Sequence, residues 1–231
     1  MTGTVPGDSV VDGVGRIPGF VNSYTFRSGE ETYLIDTGLA RKARKIARAF
    51  EEARVPLGRV GKILLTHHHI DHMGGAAFLV ETTRAPLACH GEDAPFVDGR
   101  TPTPLPWIMR LFVRVRPVPV ALPLKEGDRV GSLVVLHVPG HTPGEVAFYE
   151  PARKILFSGD SVVEHEGHLS IPAAKYASNL EQAVQSLQRL RALDVELLLP
   201  GHGVPVTRNI PGLLDDLIRR APIDYLHRPG A

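Results

Sequence analysis

A mixed α/β fold of two packed β-sheets with helices outside them is what this sequence predicts, and three observations predict it. Short β-rich runs alternate with segments whose apolar residues recur at helical spacing, glycine and proline punctuate the joints, and candidate metal ligands follow strand-like runs in both halves of the chain. With 231 residues, 43% of them apolar, a sizeable core is available. No linker-like stretch divides the sequence, so a single domain spanning 1–231 is expected.

In chain order, residues 20–26 and 32–35 are β-rich and are joined by Ser28-Gly29, which predicts an antiparallel opening pair closed by Asp36-Thr37-Gly38. Leu39, Ala43, Ile46, Ala47 and Phe50 recur at helical spacing, giving a helix over about 40–53. Residues 62–66 read as a short buried strand that delivers a histidine cluster at its C-terminal end. Gly74 and Gly75 permit tight geometry before a helix carrying Ala76, Ala77, Leu79 and Val80, and a strand over 86–90 follows. Further strands are expected near 120–122, 133–138, 145–149 and 154–157. A helix marked by Leu180, Ala183, Val184, Leu187 and Leu190 comes next, with Ser178 or Asn179 as its cap. A strand over 195–199 and a helix through Leu213, Leu214, Leu217 and Ile218 complete the plan.

The segment at about 100–124 departs from this regularity. It is proline-rich at both ends and carries Trp107, Ile108, Leu111, Phe112 and Val115 on what would be one face of a short helix. Three readings stand: a helix packed on the core, a lid or homodimer contact beside the active site, and a membrane-surface helix.

Charge excludes some functions. Twenty-six Lys and Arg against 25 Asp and Glu leave no global electrostatic footprint for nucleic acid. The basic run Arg41, Lys42, Arg44, Lys45 and Arg48 lies opposite the apolar stripe of its helix and reads as a solvated face rather than an RNA-binding one. The single cysteine, Cys89, excludes an intramolecular disulfide framework and reads as a packed thiol. The start has neither a basic n-region nor an apolar h-region, and no apolar run reaches membrane-span length. A cytoplasmic protein with no membrane partner is expected.

The chemistry is carried by His67-His68-His69-Ile70-Asp71-His72, a His-x-His-x-Asp-His motif, with His141, Asp160 and His202 following in separate Gly-flanked turns. On a loop leaving a strand, His67 and His69 point to one position while Asp71 and His72, beyond the turn, point to a neighbouring one. His141 and His202 complete the two positions, and Asp160 spans them. Zinc lowers the pKa of bound water from about 15.7 to about 7, which supplies hydroxide at neutral pH without a side-chain base. Asp71 has a second candidate role in orienting that water or passing a proton to the leaving group, so Asp71 and Asp160 are the catalytic candidates. Asp36 reads either as an acceptor behind a ligand or as a turn-forming residue, and His68 as facing away from the metals. His165 and His168, close after Asp160, are candidates for touching substrate.

At these residues the chain resembles the metallo-β-lactamase-fold superfamily of hydrolases, from Asp36 to His202. The resemblance implies an αββα sandwich, two mixed β-sheets flanked by helices, with the active site on one edge. It implies His67, His69 and His141 on a first metal, Asp71, His72 and His202 on a second, and Asp160 between them. The cofactor implied is a pair of divalent ions, zinc first, with iron or manganese as alternatives.

Departures from subfamily patterns narrow the function. β-Lactamases of the family generally lack the bridging aspartate, glyoxalase II-type thioesterases carry a helical extension, and nuclease members carry an added arm or domain. The best-known lactonases place a tyrosine where this chain has Val163, a role Tyr176 or a histidine would have to fill. What remains is a compact dinuclear hydrolase that uses a metal-bound hydroxide on an ester-type bond: a lactone, thioester or phosphoester, phosphotriesters included. The substrate would be small and fairly apolar, in a pocket shaped by Trp107 and Phe112. The rival is a mononuclear-iron persulfide dioxygenase using His67, His141 and Asp160.

Overall fold

The computed structural model describes residues 5–103, 115–172 and 174–226. Trp107, Ile108, Leu111 and Phe112 of the expected lid lie outside the described residues, while Val115 packs against the core of the first unit. The chain divides into two compact units, Met1–Leu124 and Lys125–Ala231, each with its own sheet and its own core. Mixed α/β architecture with two large mixed sheets, as the sequence predicts, is what the chain adopts.

The first unit holds a seven-stranded sheet whose strands lie side by side in chain order. β1 (Asp8–Val11), β2 (Val14–Ile17), β3 (Ser23–Ser28) and β4 (Glu31–Ile35) form an antiparallel meander. β5 (Val60–Leu64), β6 (Leu87–His90) and β7 (Leu122–Leu124) continue it in parallel. Parallel neighbours require crossovers. α1 (Ala43–Glu52), preceded by a 3-10 turn over Ala40–Lys42, joins β4 to β5, α2 (Ile70–Met73) and α3 (Ala76–Thr83) join β5 to β6, and the short α4 (Ala94–Val97) follows β6. α1 buries Ala43, Ile46, Ala49 and Phe50, its apolar stripe, against a core that includes Ile63, Leu79 and Leu87.

Two details differ from the sequence expectation. β1 and β2 extend the meander ahead of the first expected strand; β1 is a largely exposed edge strand whose Asp8-Ser9 start gives no apolar alternation. The expected strand at 120–122 is displaced to Leu122–Leu124, where Pro123 is accommodated because β7 is the sheet edge. Cys89 is fully buried in β6; burial, reinforced by Asp93 and Asp98, pushes its thiol up in pKa and makes it unreactive.

The second unit holds a five-stranded sheet in the order β14-β11-β10-β9-β8. β8 (Arg129–Val130), β9 (Leu133–His137), β10 (Val146–Glu150) and β11 (Ile155–Gly159) are antiparallel neighbours, and β14 (Leu197–Pro200) lies parallel to β11. A small hairpin, β12 (Val163–His165) with β13 (His168–Ser170), is an element the sequence did not announce: five polar or charged residues, Glu164, His165, Glu166, His168 and Ser170, mask its alternation. α5 (Leu180–Arg191) is capped by Asn179, whose side chain accepts from Gln182 N–H, and α6 (Ile210–Leu226) follows β14. Val138, Leu156, Leu187, Leu198 and Leu214 belong to the core of this unit. Among the described residues no helix is long and apolar enough to cross a membrane.

Candidate metal centre

In the first unit the donors come from the stretch between β5 and α2. Leu65 still pairs with the sheet through Ala88 O, the chain bends at Thr66 and is extended again at His69, and one helical turn closes when His72 and Met73 N–H donate to His69 O. That turn folds Asp71 and His72 back beside the histidines they follow. Ligand atoms of His67 and His69, of His67 and His72, and of Asp71 and His72 lie within 4.8 Å of each other in each pair. The His67 and His72 rings are 3.9 Å apart by centroids, and both residues are fully buried.

A single carboxylate orients two of these rings. Asp36 sits at the end of β4 in the left-handed region, φ 57°, a conformation that aspartate tolerates better than most residues. Its Oδ1 accepts from Thr66 N–H at 2.9 Å, and its Oδ2 accepts from Thr66 Oγ1 at 2.8 Å and from His72 Nδ1 at 2.8 Å. Because an ionised carboxylate only accepts, His72 carries its proton on Nδ1, and Nε2 is its metal-binding nitrogen. The Thr66 hydroxyl spends its proton on Asp36 and lies 3.1 Å from His67 Nδ1, from which it can accept, so the same logic selects Nε2 of His67. Thr37 holds the far side of the turn, its N–H and Oγ1 both donating to His72 O.

His68 is occupied elsewhere. Its backbone N–H donates to Asp93 Oδ2 at 2.9 Å, its Nδ1 lies 3.0 Å from the same oxygen, and its ring stacks on Phe96 at 4.1 Å. Asp93 is fully buried and pins the loop between two donors.

In the second unit the pairing of strands does the gathering. β11 and β14 run parallel with Gly159 opposite Pro200, so Asp160 and His202 leave the sheet at the same end. The β9–β10 loop turns at that end too, since β10 is antiparallel to β11, and this loop carries His141. Asp160 Oδ2 lies 3.5 Å from His141 Nε2 and 3.4 Å from His202 Nε2. These separations are long for charge-assisted hydrogen bonds but match ligand-to-ligand edges around a cation, roughly 3.3–3.4 Å for tetrahedral bonds of about 2.0–2.1 Å. One carboxylate oxygen flanked by two imidazole nitrogens at that spacing is a donor set that fits divalent metal ions.

The loops are braced from behind. Gly140 has φ 141°, and a Cβ there would stand 2.3 Å from Ala183 N, so only glycine lets α5 approach the His141 loop. Ser178 N–H and Asn179 N–H donate to His141 O and Gly140 O, which ties the start of α5 to the same turn. Glu145, fully buried, accepts Asp160 N–H at 2.9 Å. Glu164 N–H donates to His202 O, and its carboxylate accepts Val204 N–H.

Asp93, Glu145 and Glu164 are functional supports that sequence reasoning alone did not reveal. The available signal was a carboxylate adjoining an otherwise apolar strand or a ligand turn, as in Gly144-Glu145-Val146-Ala147-Phe148. Of the candidate substrate residues, His165 and His168 are exposed on the β12–β13 hairpin, and Tyr176 is exposed in a 3-10 turn over Ala174–Tyr176.

Comparison with known proteins follows the same residues. The family model described as metallo-beta-lactamase superfamily matches residues 16–202. A Bacillus subtilis protein named probable metallo-hydrolase YybB is 26% identical over 84% of this chain and 84% of its own length. The human protein named acyl-coenzyme A thioesterase MBLAC2 is 32% identical over 78% of this chain and 72% of its own. Among solved structures, TTHA1623 in a di-iron-bound form is 33% identical, covers 87% of this chain and 95% of its own, and superposes with a TM-score of 0.69.

Proposed function

The chain belongs to the metallo-β-lactamase superfamily of hydrolases, and from that premise we propose that it is a two-metal thioesterase, with His67, His69 and His141 on one cation, Asp71, His72 and His202 on a second, and Asp160 serving both. The observation that carries this reading is the spacing of Asp160 Oδ2 from His141 Nε2 and His202 Nε2, 3.5 and 3.4 Å. That spacing suits ligands of divalent cations and supports Oδ2 as the oxygen that would serve both. The buried and oriented imidazoles of His67 and His72 supply the complementary donors.

When bound, two divalent cations supply Lewis acidity toward the acyl oxygen and bring the pKa of water near neutrality. The chain's own residues do the rest. Asp36 and Thr66 hold His67 and His72 in the tautomer that offers Nε2, so little reorganisation is needed when the site fills. Asp160 is held at its backbone by Glu145, which anchors the turn that carries its carboxylate. Asp71, in the first turn of α2, would orient water or carry a proton to the departing thiolate. A thioester is favoured over a lactone or phosphoester by the 32% identity to a protein named an acyl-coenzyme A thioesterase. Zinc is the expected metal by its preference for imidazole and carboxylate ligands with one position left open for water, and the di-iron-bound relative makes iron the alternative.

The test is a paired measurement on metal-replete protein: metal content by elemental analysis, and thiol release from butyryl-coenzyme A. About two equivalents per chain with thiol release supports the reading. One iron per chain with thiol-dependent oxygen uptake rejects it in favour of persulfide oxidation.

A further inference from the structure

Of the three donors in the second unit, His202 is held least by packing. A quarter of its side chain is exposed, against 4% for His141 and 6% for Asp160. A ring that open to solvent keeps its place beside Asp160 only if the backbone beneath it is fixed. The loop that carries it leaves β14 at Pro200 and rejoins at Val206, whose N–H and carbonyl both pair with Leu198. Between those points Gly201 N–H donates to Gly159 O. The next three residues, His202, Gly203 and Val204, all meet one residue of β12, Glu164.

Glu164 N–H donates to His202 O at 3.0 Å. Its Oε2 accepts Val204 N–H at 2.8 Å, and its Oε1 accepts Gly167 N–H at 2.7 Å. Gly203 lies directly on the same residue: it has φ 99°, and a Cβ there would stand 2.2 Å from Glu164 O and 2.5 Å from Oε2. Only glycine lets the loop lie so close. The hairpin secures the carboxylate in turn. Glu166 and Gly167 have φ 50° and 83°, the left-handed pair that a two-residue type I′ turn requires, and this turn presents the Gly167 N–H that Oε1 accepts. Glu164 is buried, and its cross-strand partner Leu169 is buried as well.

We propose that Glu164 is the positioning residue of His202: its backbone N–H and both carboxylate oxygens lock the His202–Val204 segment, so that His202 Nε2 stands at ligand distance from Asp160 Oδ2 in advance of metal binding. This rests on the reading of His202 as a metal ligand and not on the identity of the substrate. The acceptor pattern calls for a carboxylate. Each oxygen faces a backbone N–H, so a glutamine in either orientation sets its NH₂ against one of them. Turned toward Val204 it releases the ligand loop, and turned toward Gly167 it releases the turn that holds the side chain. Loss of an outer partner of this kind lowers metal affinity by about 10–100-fold.

The experiment titrates buffered zinc into the full, metal-free chain as wild type, Glu164→Gln and Leu169→Ala, following each histidine ring by NMR, with chemical denaturation in parallel. Glu164→Gln is expected to raise the free zinc that half-saturates the His202 ring by about tenfold or more, while half-saturation at His67 and His69 moves less than about twofold. Leu169→Ala removes a buried side chain opposite Glu164 but leaves both acceptor oxygens. It should lower the denaturation midpoint at least as far and leave every zinc affinity within about twofold. A readout independent of metal is amide exchange: the Val204 side chain is 51% exposed, yet in metal-free wild type its N–H should be protected, and Glu164→Gln should remove that protection.

Unchanged zinc affinity at His202 in Glu164→Gln, an equal loss in Leu169→Ala, or an unprotected Val204 N–H in metal-free wild type each overturns the proposal and leaves the ligand reading standing. A His202 ring that zinc does not shift in wild type removes the ligand reading, and the positioning role with it. The expected zinc response in a protein that releases no thiol from butyryl-coenzyme A leaves the role of Glu164 standing and removes the thioesterase reading instead.

Discussion

Replacing Asp36 by asparagine changes one oxygen to an amide nitrogen at the point where two candidate ligands are oriented. Oδ1 must remain an acceptor for Thr66 N–H, which is buried and 2.9 Å away. The opposite amide orientation would face this N–H with another donor and cost about 1–3 kcal/mol. The NH₂ therefore takes the place of Oδ2, where it meets Thr66 Oγ1 and His72 Nδ1, both at 2.8 Å. Each of its two protons needs an acceptor. His72 Nδ1 can accept only if the ring proton moves to Nε2, and the Thr66 hydroxyl, now accepting, turns its own proton toward His67 Nδ1, which must respond in the same way. Both rings would present a protonated nitrogen where a metal needs a lone pair.

Removing support of this kind weakens metal binding by about 10–100-fold, or roughly 1.4–2.7 kcal/mol. Asp36→Asn is expected to lose at least that much at the occupied site, with the secondary structure intact. Competition against a chromophoric chelator measures the affinity, and nitrogen NMR of the histidine rings in metal-free protein reports the tautomers. Metal affinity within twofold of wild type, together with Nδ1-protonated His72, would refute the reasoning.

Asp160→Ala should abolish thioester hydrolysis and lower the metal content by at least one equivalent; normal turnover with both metals retained would mean the ligand assignment is wrong. Glu145→Ala strips the buried acceptor from Asp160 N–H and should destabilise the fold by about 1–3 kcal/mol, whereas Glu145→Gln, which keeps a carbonyl at Oε1, should recover most of it in chemical denaturation. Gly140→Ala combines φ 141° with a Cβ 2.3 Å from Ala183 N and should cost more than the about 1 kcal/mol of an ordinary glycine position; a melting temperature equal to wild type would contradict the close approach of α5. Asn179→Ala removes a helix cap and should cost about 1 kcal/mol, a modest drop in melting temperature that serves as a reference for the larger effect at Gly140.

Residue type and local spacing alone announced the metal chemistry. The His67 to His72 cluster is contiguous, and β5 before it and α3 after it are written in apolar runs, so the loop and its donors were legible without distant information. The stripe of α1, the start of α5 at Asn179 and the meander of β3 and β4 were legible for the same reason, since neighbours in sequence make those contacts. Tertiary structure decided what depends on residues far apart in the chain. Parallel pairing of β11 with β14 places Asp160 beside His202, Asp36 reaches His72 across 36 positions, Asp93 claims His68, and Glu145 holds Asp160. A buried carboxylate finds its donors only once the strands carrying them are in register, and sequence spacing contains no record of that register.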